Sequence, residues 1–168
     1  KQITMKTILT NGSSGVGKDE MLKYLDVNYN CLISQWSDKG KQISASLGIR
    51  DDRTELSRKA LSNLILYLDA YNISLDHIVS RRAKSNKRYH IITFRTPEQL
   101  GALKMAFNDI VSVKINRDVE VPNNYADKSV KDVVCDYTID NNSTMGNFYY
   151  NITEFMKLFD NMVFVSPE

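Results

Sequence analysis

The chain has 168 residues, 42% of them apolar and 25% charged, with a net charge of +2. That length suits one domain with its own core. The net charge is too small to argue for nucleic acid or an acidic membrane as partner. No stretch approaches the ~20 apolar residues that span a bilayer, and no signal peptide pattern is visible, so a cytoplasmic location is expected. Cys31 and Cys135 lie in apolar surroundings without metal-ligand spacing and read as buried thiols of a reducing compartment. His77 and His90 stand far apart and show no ligand pattern.

Ile3 to Thr10 is an apolar run that reads as a strand, and it feeds Gly12-Ser13-Ser14-Gly15-Val16-Gly17-Lys18-Asp19. This fits the phosphate-binding pattern GxxxxGK, with Asp19 where Ser or Thr is usual. Glycines give the backbone dihedrals closed to other residues, so the loop can turn its N–H groups around a phosphate. The helix expected over Asp19 to Leu25 adds the positive end of its dipole, and Lys18 adds a mobile charge for the outer phosphates. A tight glycine turn between strand and helix would use the same residues. The position of the pattern between those two elements favours phosphate binding.

Cys31 to Ser34 reads as a second strand. Ser37 has the place of an N-cap for a helix over Asp38 to Leu47, ended by Gly48. Asp52 to Asn72 is the clearest helix: Asp52 and Glu55 have capping-box spacing. Leu56, Ala60, Leu64 and Leu68 recur every four residues, with Leu61, Ile65 and Tyr71 widening the face. A helix over Leu75 to Ala83 runs into Arg81, Arg82, Lys84, Lys87 and Arg88, a solvated basic end or an anion-attracting rim. Tyr89 to Phe94 reads as a strand and is followed by Arg95. Thr96 with Gln99 repeats the capping-box spacing, and Pro97 takes the first position of a helix to about Phe107. Asp109 to Asn116 alternates as a strand. Arg117 to Lys128 reads as a loop, Val133 to Ile139 as the last strand, and Phe148 to Phe159 as a closing helix.

Strands alternating with helices indicate a parallel α/β sheet covered on both faces. Ligands of such sheets bind at the carboxyl ends of the strands. Lys18, Arg95 and Arg117 each fall near such an end, with Asp140 and Asn141 closing the last strand. Arginine suits phosphate because its planar fork binds oxygens in pairs. Trp36, Tyr67 and Tyr71 could stack on a base, with core packing preferred for the two tyrosines.

The loop with Asp19 resembles that of phage deoxynucleoside monophosphate kinases and of animal-type phosphomevalonate kinases. Trp36 to Lys41, Asp51 to Ser62, Phe94 to Glu98, Ala126 to Val130 and Asp136 to Asn141 are similar to other segments of the same P-loop kinase-like group. The resemblance implies a single nucleoside monophosphate kinase-like domain with a five-stranded parallel sheet of order 2-3-1-4-5. It implies an acceptor-binding helical insert at about 36–84 and a lid loop at about 117–130. ATP and Mg²⁺ would be the co-substrates of phosphoryl transfer to a small phosphate acceptor, a nucleoside or deoxynucleoside monophosphate. Residues 12–18 would hold the donor phosphates, Arg95 the acceptor phosphate and Arg117 the transferred group, while Asn141 would lie near the donor base. Asp19 would hold the metal, directly or through water.

Many relatives carry an aspartate two residues before the acceptor arginine; here Thr93 stands there. The lid stretch offers only Arg117 and Lys128 as cations, beside Asp118 and Glu120. A nucleotide-binding regulatory protein with little catalysis, or a kinase for a non-nucleotide phosphorylated metabolite, are the alternative readings. Partners are small-molecule nucleotides, with no nucleic acid and no membrane; a homodimer is compatible with the sequence. If phage-encoded, the protein would act in the host cytoplasm.

Overall fold

Lys6–Asn11 forms β1, which is half-buried at Lys6 and buried from Thr7 onward. β2 (Cys31–Gln35), β3 (Tyr89–Thr93), β4 (Ile110–Asn116) and β5 (Tyr137–Asp140) complete one sheet of order β2-β3-β1-β4-β5. The ladders β1–β3, β1–β4 and β4–β5 are parallel, with Thr10 opposite Thr93, Asn11 opposite Lys114 and Asn116 opposite Asp140. The carboxyl ends of these four strands therefore share one edge. The computed structural model describes residues 5–49, 54–118, 130 and 133–164.

The helices are α1 (Lys18–Asn28), α2 (Asp38–Ser46), α3 (Glu55–Ala70), α4 (Ile73–Ala83), α5 (Pro97–Ala106) and α6 (Met145–Asn161). Two compact units divide the chain: Lys1–Ile33 with Asn86–Glu168, and Ser34–Ser85. In the first, Ile8, Ile91, Val111, Val113, Ile115 and Ile139 form a buried cluster with Met21 and Leu25 of α1 and Phe148, Ile152 and Phe159 of α6. Each fully buried aliphatic or aromatic side chain of this kind contributes about 1.5–3 kcal/mol. Leu9 and Ile92 alternate with Ile8 and Ile91 and are equally buried, as expected of parallel strands covered on both faces. His90 meets Phe107 edge-on at 6.0 Å. Lys6 Nζ donates to the carbonyls of Phe159, Asp160 and Met162 at 3.1, 2.8 and 3.1 Å, closing the C-terminal end of α6, where a cation is favoured. Burial first, then the hydrogen-bonded Asp160 carboxylate, push the Tyr89 phenol up.

In the Ser34–Ser85 unit, Leu68 and Ile78 are the fully covered apolar side chains of α3 and α4. Gly40 lets α2 approach α3; a Cβ there would lie 3.1 Å from Ile65 Cγ1. Trp36 Nε1 donates to Asp69 Oδ1 at 2.8 Å. Arg81 donates to Ser34 Oγ and Asp38 Oδ2 at 3.1 and 3.0 Å, and Asp38 Oδ2 also accepts from the Gln35 N–H at 2.8 Å.

Several expected details are corrected here. Ser37 is the N-cap residue of α2, as expected, but its side chain makes no capping hydrogen bond. Thr54, not Asp52, caps α3 by accepting from the Ser57 N–H at 3.2 Å; Asp52 lies outside the described residues. Thr96 caps α5 from Gln99 as expected, but Gln99 Oε1 returns to the Arg95 N–H at 2.9 Å rather than to Thr96. β5 starts at Tyr137, not Val133. Asp136 explains the late start: its carboxylate takes the Ser112 N–H at 2.8 Å, replacing a ladder bond with a side-chain bond. Tyr67 and Tyr71 are not core residues; each is 62% exposed, with ring centroids 5.1 Å apart.

Candidate active site

β1 delivers the chain to the carboxyl edge of the sheet at Gly12. A Cβ at Gly12 would lie 2.7 Å from Val16 Cγ2 and 3.2 Å from the Ile115 carbonyl oxygen, so only glycine lets the loop fold back against β4. Val16 is buried in the core cluster and anchors the far side of the loop, while Ser14 and Gly15 are exposed. Gly17 is the N-cap of α1 with φ 106° and ψ 16°. This is the left-handed region that costs other residues about 1–2 kcal/mol. The first intrahelical bond runs from the Met21 N–H to the Gly17 carbonyl at 2.9 Å. Helix geometry therefore leaves the N–H groups of the first turn, those of Asp19 and Glu20 included, outside the intrahelical ladder of α1. Lys18 Nζ folds over the loop and donates to the carbonyls of Gly12 and Ser13, the latter at 2.7 Å. Two carbonyl dipoles hold the ammonium there, and a phosphate oxygen would compete with them through a full charge.

The other candidates lie around this loop. Arg95 is exposed, two residues past β3, and its backbone is held on both sides. Asn11 Nδ2 donates to the Phe94 carbonyl at 3.2 Å, and Gln99 Oε1 accepts from the Arg95 N–H at 2.9 Å. Arg117 is exposed, one residue past β4. Among the described residues, neither guanidinium has an ion pair or hydrogen-bonded partner. The loop and both arginines thus leave neighbouring parallel strands at one edge. The lid stretch 119–129, with Glu120 and Lys128, lies outside the described residues. Thr93 ends β3 opposite Thr10, so that strand position carries a hydroxyl and not a carboxylate. Asn141, 6% exposed, donates through Nδ2 to the Val16 carbonyl at 2.8 Å.

A Thermus thermophilus protein designated TT1252 superposes with a TM-score of 0.63 over 95% of this chain and 99% of that one, at 12% identity. A sugar kinase from Janibacter superposes with a TM-score of 0.52 over 94% of this chain and 95% of that one, at 13% identity. The fold is shared with these proteins. It is a five-stranded parallel α/β sheet flanked by helices, in the strand order that the resemblance implied. No protein-family model matches the sequence, and a search of curated proteins gives no match.

Asp19 is exposed in the first turn of α1. Mg²⁺ takes oxygen ligands and keeps part of its water, so one carboxylate beside phosphate oxygens suffices to hold it. No group of three or more His, Cys, Asp or Glu forms an all-protein metal cage among the described residues. The donor set fits a metal carried in with a nucleotide. Sequence reasoning missed Asn11 as the residue holding the Phe94 carbonyl; its only signal is a polar amide closing an apolar strand just before the glycine loop. Trp36 is only 8% exposed and its indole N–H is taken by Asp69, so its ring is not a free stacking face.

Proposed function

We propose that this protein is an ATP-dependent phosphotransferase acting on a small phosphorylated acceptor, a nucleoside or deoxynucleoside monophosphate, and releasing the diphosphate. The observation that carries the reading is the Lys18 ammonium, folded over the carbonyls of Gly12 and Ser13 in a glycine loop at the mouth of α1. Exposed arginines on the two strands flanking β1 add to it. The name of one protein of the same fold, a sugar kinase, is in keeping with phosphoryl transfer in general.

Phosphoryl transfer needs donor and acceptor in line and positive charge around the equatorial oxygens. In this proposal residues 12–18 hold the donor phosphates through N–H groups. Lys18 leaves its carbonyls to neutralise the outer phosphates. Arg95, with its backbone fixed by Asn11 and Gln99, orients the acceptor phosphate, and Arg117 meets charge as it develops. Asp19 would hold Mg²⁺, which screens the triphosphate when bound. Acceptor binding by the helical segment at about 36–84 and a lid at about 117–130 belong to the same proposal.

A second reading has its own observation. Thr93 offers no carboxylate at the end of β3, which suits a nucleotide-binding regulator that turns over slowly. The two separate in one experiment: a panel of nucleoside monophosphates and non-nucleotide phosphorylated metabolites with ATP and Mg²⁺, scored for ADP release. Acceptor-dependent release, abolished in Lys18→Ala and strongly reduced in Arg95→Ala, supports the kinase. ATP binding without acceptor turnover supports the regulator.

A further inference from the structure

Asn141 is tied into the fold from both ends. Its N–H donates to the Asn116 carbonyl at 2.8 Å, extending the β4–β5 ladder past the strand end. Its side-chain amide donates to the Val16 carbonyl at 2.8 Å. The turn that presents it is itself braced. Asp140 Oδ2 accepts from the Asn142 N–H at 3.1 Å, Asp140 Oδ1 accepts from Asn142 Nδ2 at 2.6 Å, and the Asp140 carbonyl accepts from Asn151 Nδ2 at 3.0 Å. Asn142 Oδ1 also accepts from the Asp118 N–H at 2.6 Å, next to Arg117.

The peptide joining Val16 to Gly17 is trans, since the described backbone has no cis bonds. In a trans peptide the C=O and the N–H point in opposite directions. A carbonyl pinned toward Asn141 therefore turns the Gly17 N–H away from the β5 turn. Gly17 backs closely onto this amide: an added Cβ there would lie 2.5 Å from Asn141 Nδ2, so no side chain fits between the two. A single donor beneath the loop thus sets the direction of a peptide at its mouth.

We propose that Asn141 is a positioning residue: its amide holds the Val16 carbonyl so that the Gly17 N–H is presented to a nucleotide phosphate. The inference rests on the phosphate-binding reading above. It replaces a role for Asn141 at the donor base with a role through the loop.

The test measures binding of ATP with Mg²⁺, of inorganic tripolyphosphate and of adenosine to wild type, Asn141→Asp and Asn141→Ala. Asn141→Asp keeps the shape but puts a carboxylate against the Val16 carbonyl; Asn141→Ala removes the donor without adding charge. Loss of one charge-assisted N–H contact corresponds to about tenfold or more in affinity. That loss is expected for ATP and tripolyphosphate in both variants, with adenosine affinity unchanged. In Asn141→Asp, phosphate affinity should recover as pH falls and the protonated carboxyl regains a donor. Equal losses for ATP and adenosine, or no loss at all, overturn the inference. In wild type, the amide resonance of Gly17 should move on adding tripolyphosphate; an unmoved Gly17 beside moving neighbours overturns it even where a variant fails to fold. A wild-type protein that binds neither ATP nor tripolyphosphate overturns the proposed function itself, and this inference with it.

Discussion

Gly17→Ala is the substitution whose cost the structure fixes most closely. Alanine at φ 106° sits in the left-handed region, at about 1–2 kcal/mol. Its Cβ would also lie 2.5 Å from Asn141 Nδ2, a buried amide that cannot stay in place. Displacing it breaks the bond to the Val16 carbonyl, a further ~1 kcal/mol. The sum is about 2–3 kcal/mol, or roughly 5–10 °C in melting temperature for a chain of this size. Gly15→Ala is the internal comparison: φ is 79° there, but nothing lies within 4 Å of a Cβ, so only the conformational part applies. Thermal unfolding followed by circular dichroism should rank Gly17→Ala below Gly15→Ala by about 1 kcal/mol. That gap should close in an Asn141→Ala background, because the two sites couple through one contact. Equal melting temperatures for the two alanine variants in the wild-type background would refute the steric reasoning.

Three further outcomes follow from the same structure. Burial, then Asp26, pushes the Cys31 thiol from its ordinary 9.0 up to about 12. Between those values the unfolded chain releases a proton that the folded chain keeps. Stability should therefore fall with rising pH by up to about 1.4 kcal/mol per pH unit, and Cys31→Ala should flatten that slope in chemical denaturation. Trp36 is the only tryptophan and is 8% exposed, so native emission should be blue-shifted. Trp36→Phe, which leaves Asp69 without its indole donor, should cost about 1–3 kcal/mol by denaturant titration. Asp19 should repel a metal-free triphosphate: ATP affinity should drop about tenfold on chelation, a like-charge effect of ~1.4 kcal/mol, and less in Asp19→Asn. Equal ATP affinity of wild type with chelator and with Mg²⁺ would count against Asp19 as the metal-holding group.

What the sequence made legible follows from local physics. Ile8 and Ile91 sit in short apolar runs and Val111 in an alternating one, patterns that read as strands, and all three are buried in the core. The glycine loop lies between such a run and a helix, and Thr96-Pro97 marks the start of α5 unambiguously. The strand order follows no local signal; it came with the family resemblance. Contacts made across long sequence separations were illegible. Asp136 meets Ser112 and shortens β5, Asn11 reaches Phe94, and Asn141 reaches Val16 across the sheet edge. The α3 pattern misled because period-four spacing describes a stripe, not its depth. Leu68 is covered, whereas Leu56, at the other end of the stripe, and Tyr71 are exposed. Of the site, the loop and its lysine could be read directly, while the amides that orient its peptides needed the fold.

Transfer itself is observed most directly by phosphorus NMR of ATP, Mg²⁺ and a mixture of nucleoside monophosphates. With wild-type protein, the γ-phosphate signal of ATP should decline as the signal of a new nucleoside diphosphate grows, and Lys18→Ala should leave the spectrum unchanged. An ATP signal that persists, or that is lost only to inorganic phosphate, would contradict phosphotransfer at this loop.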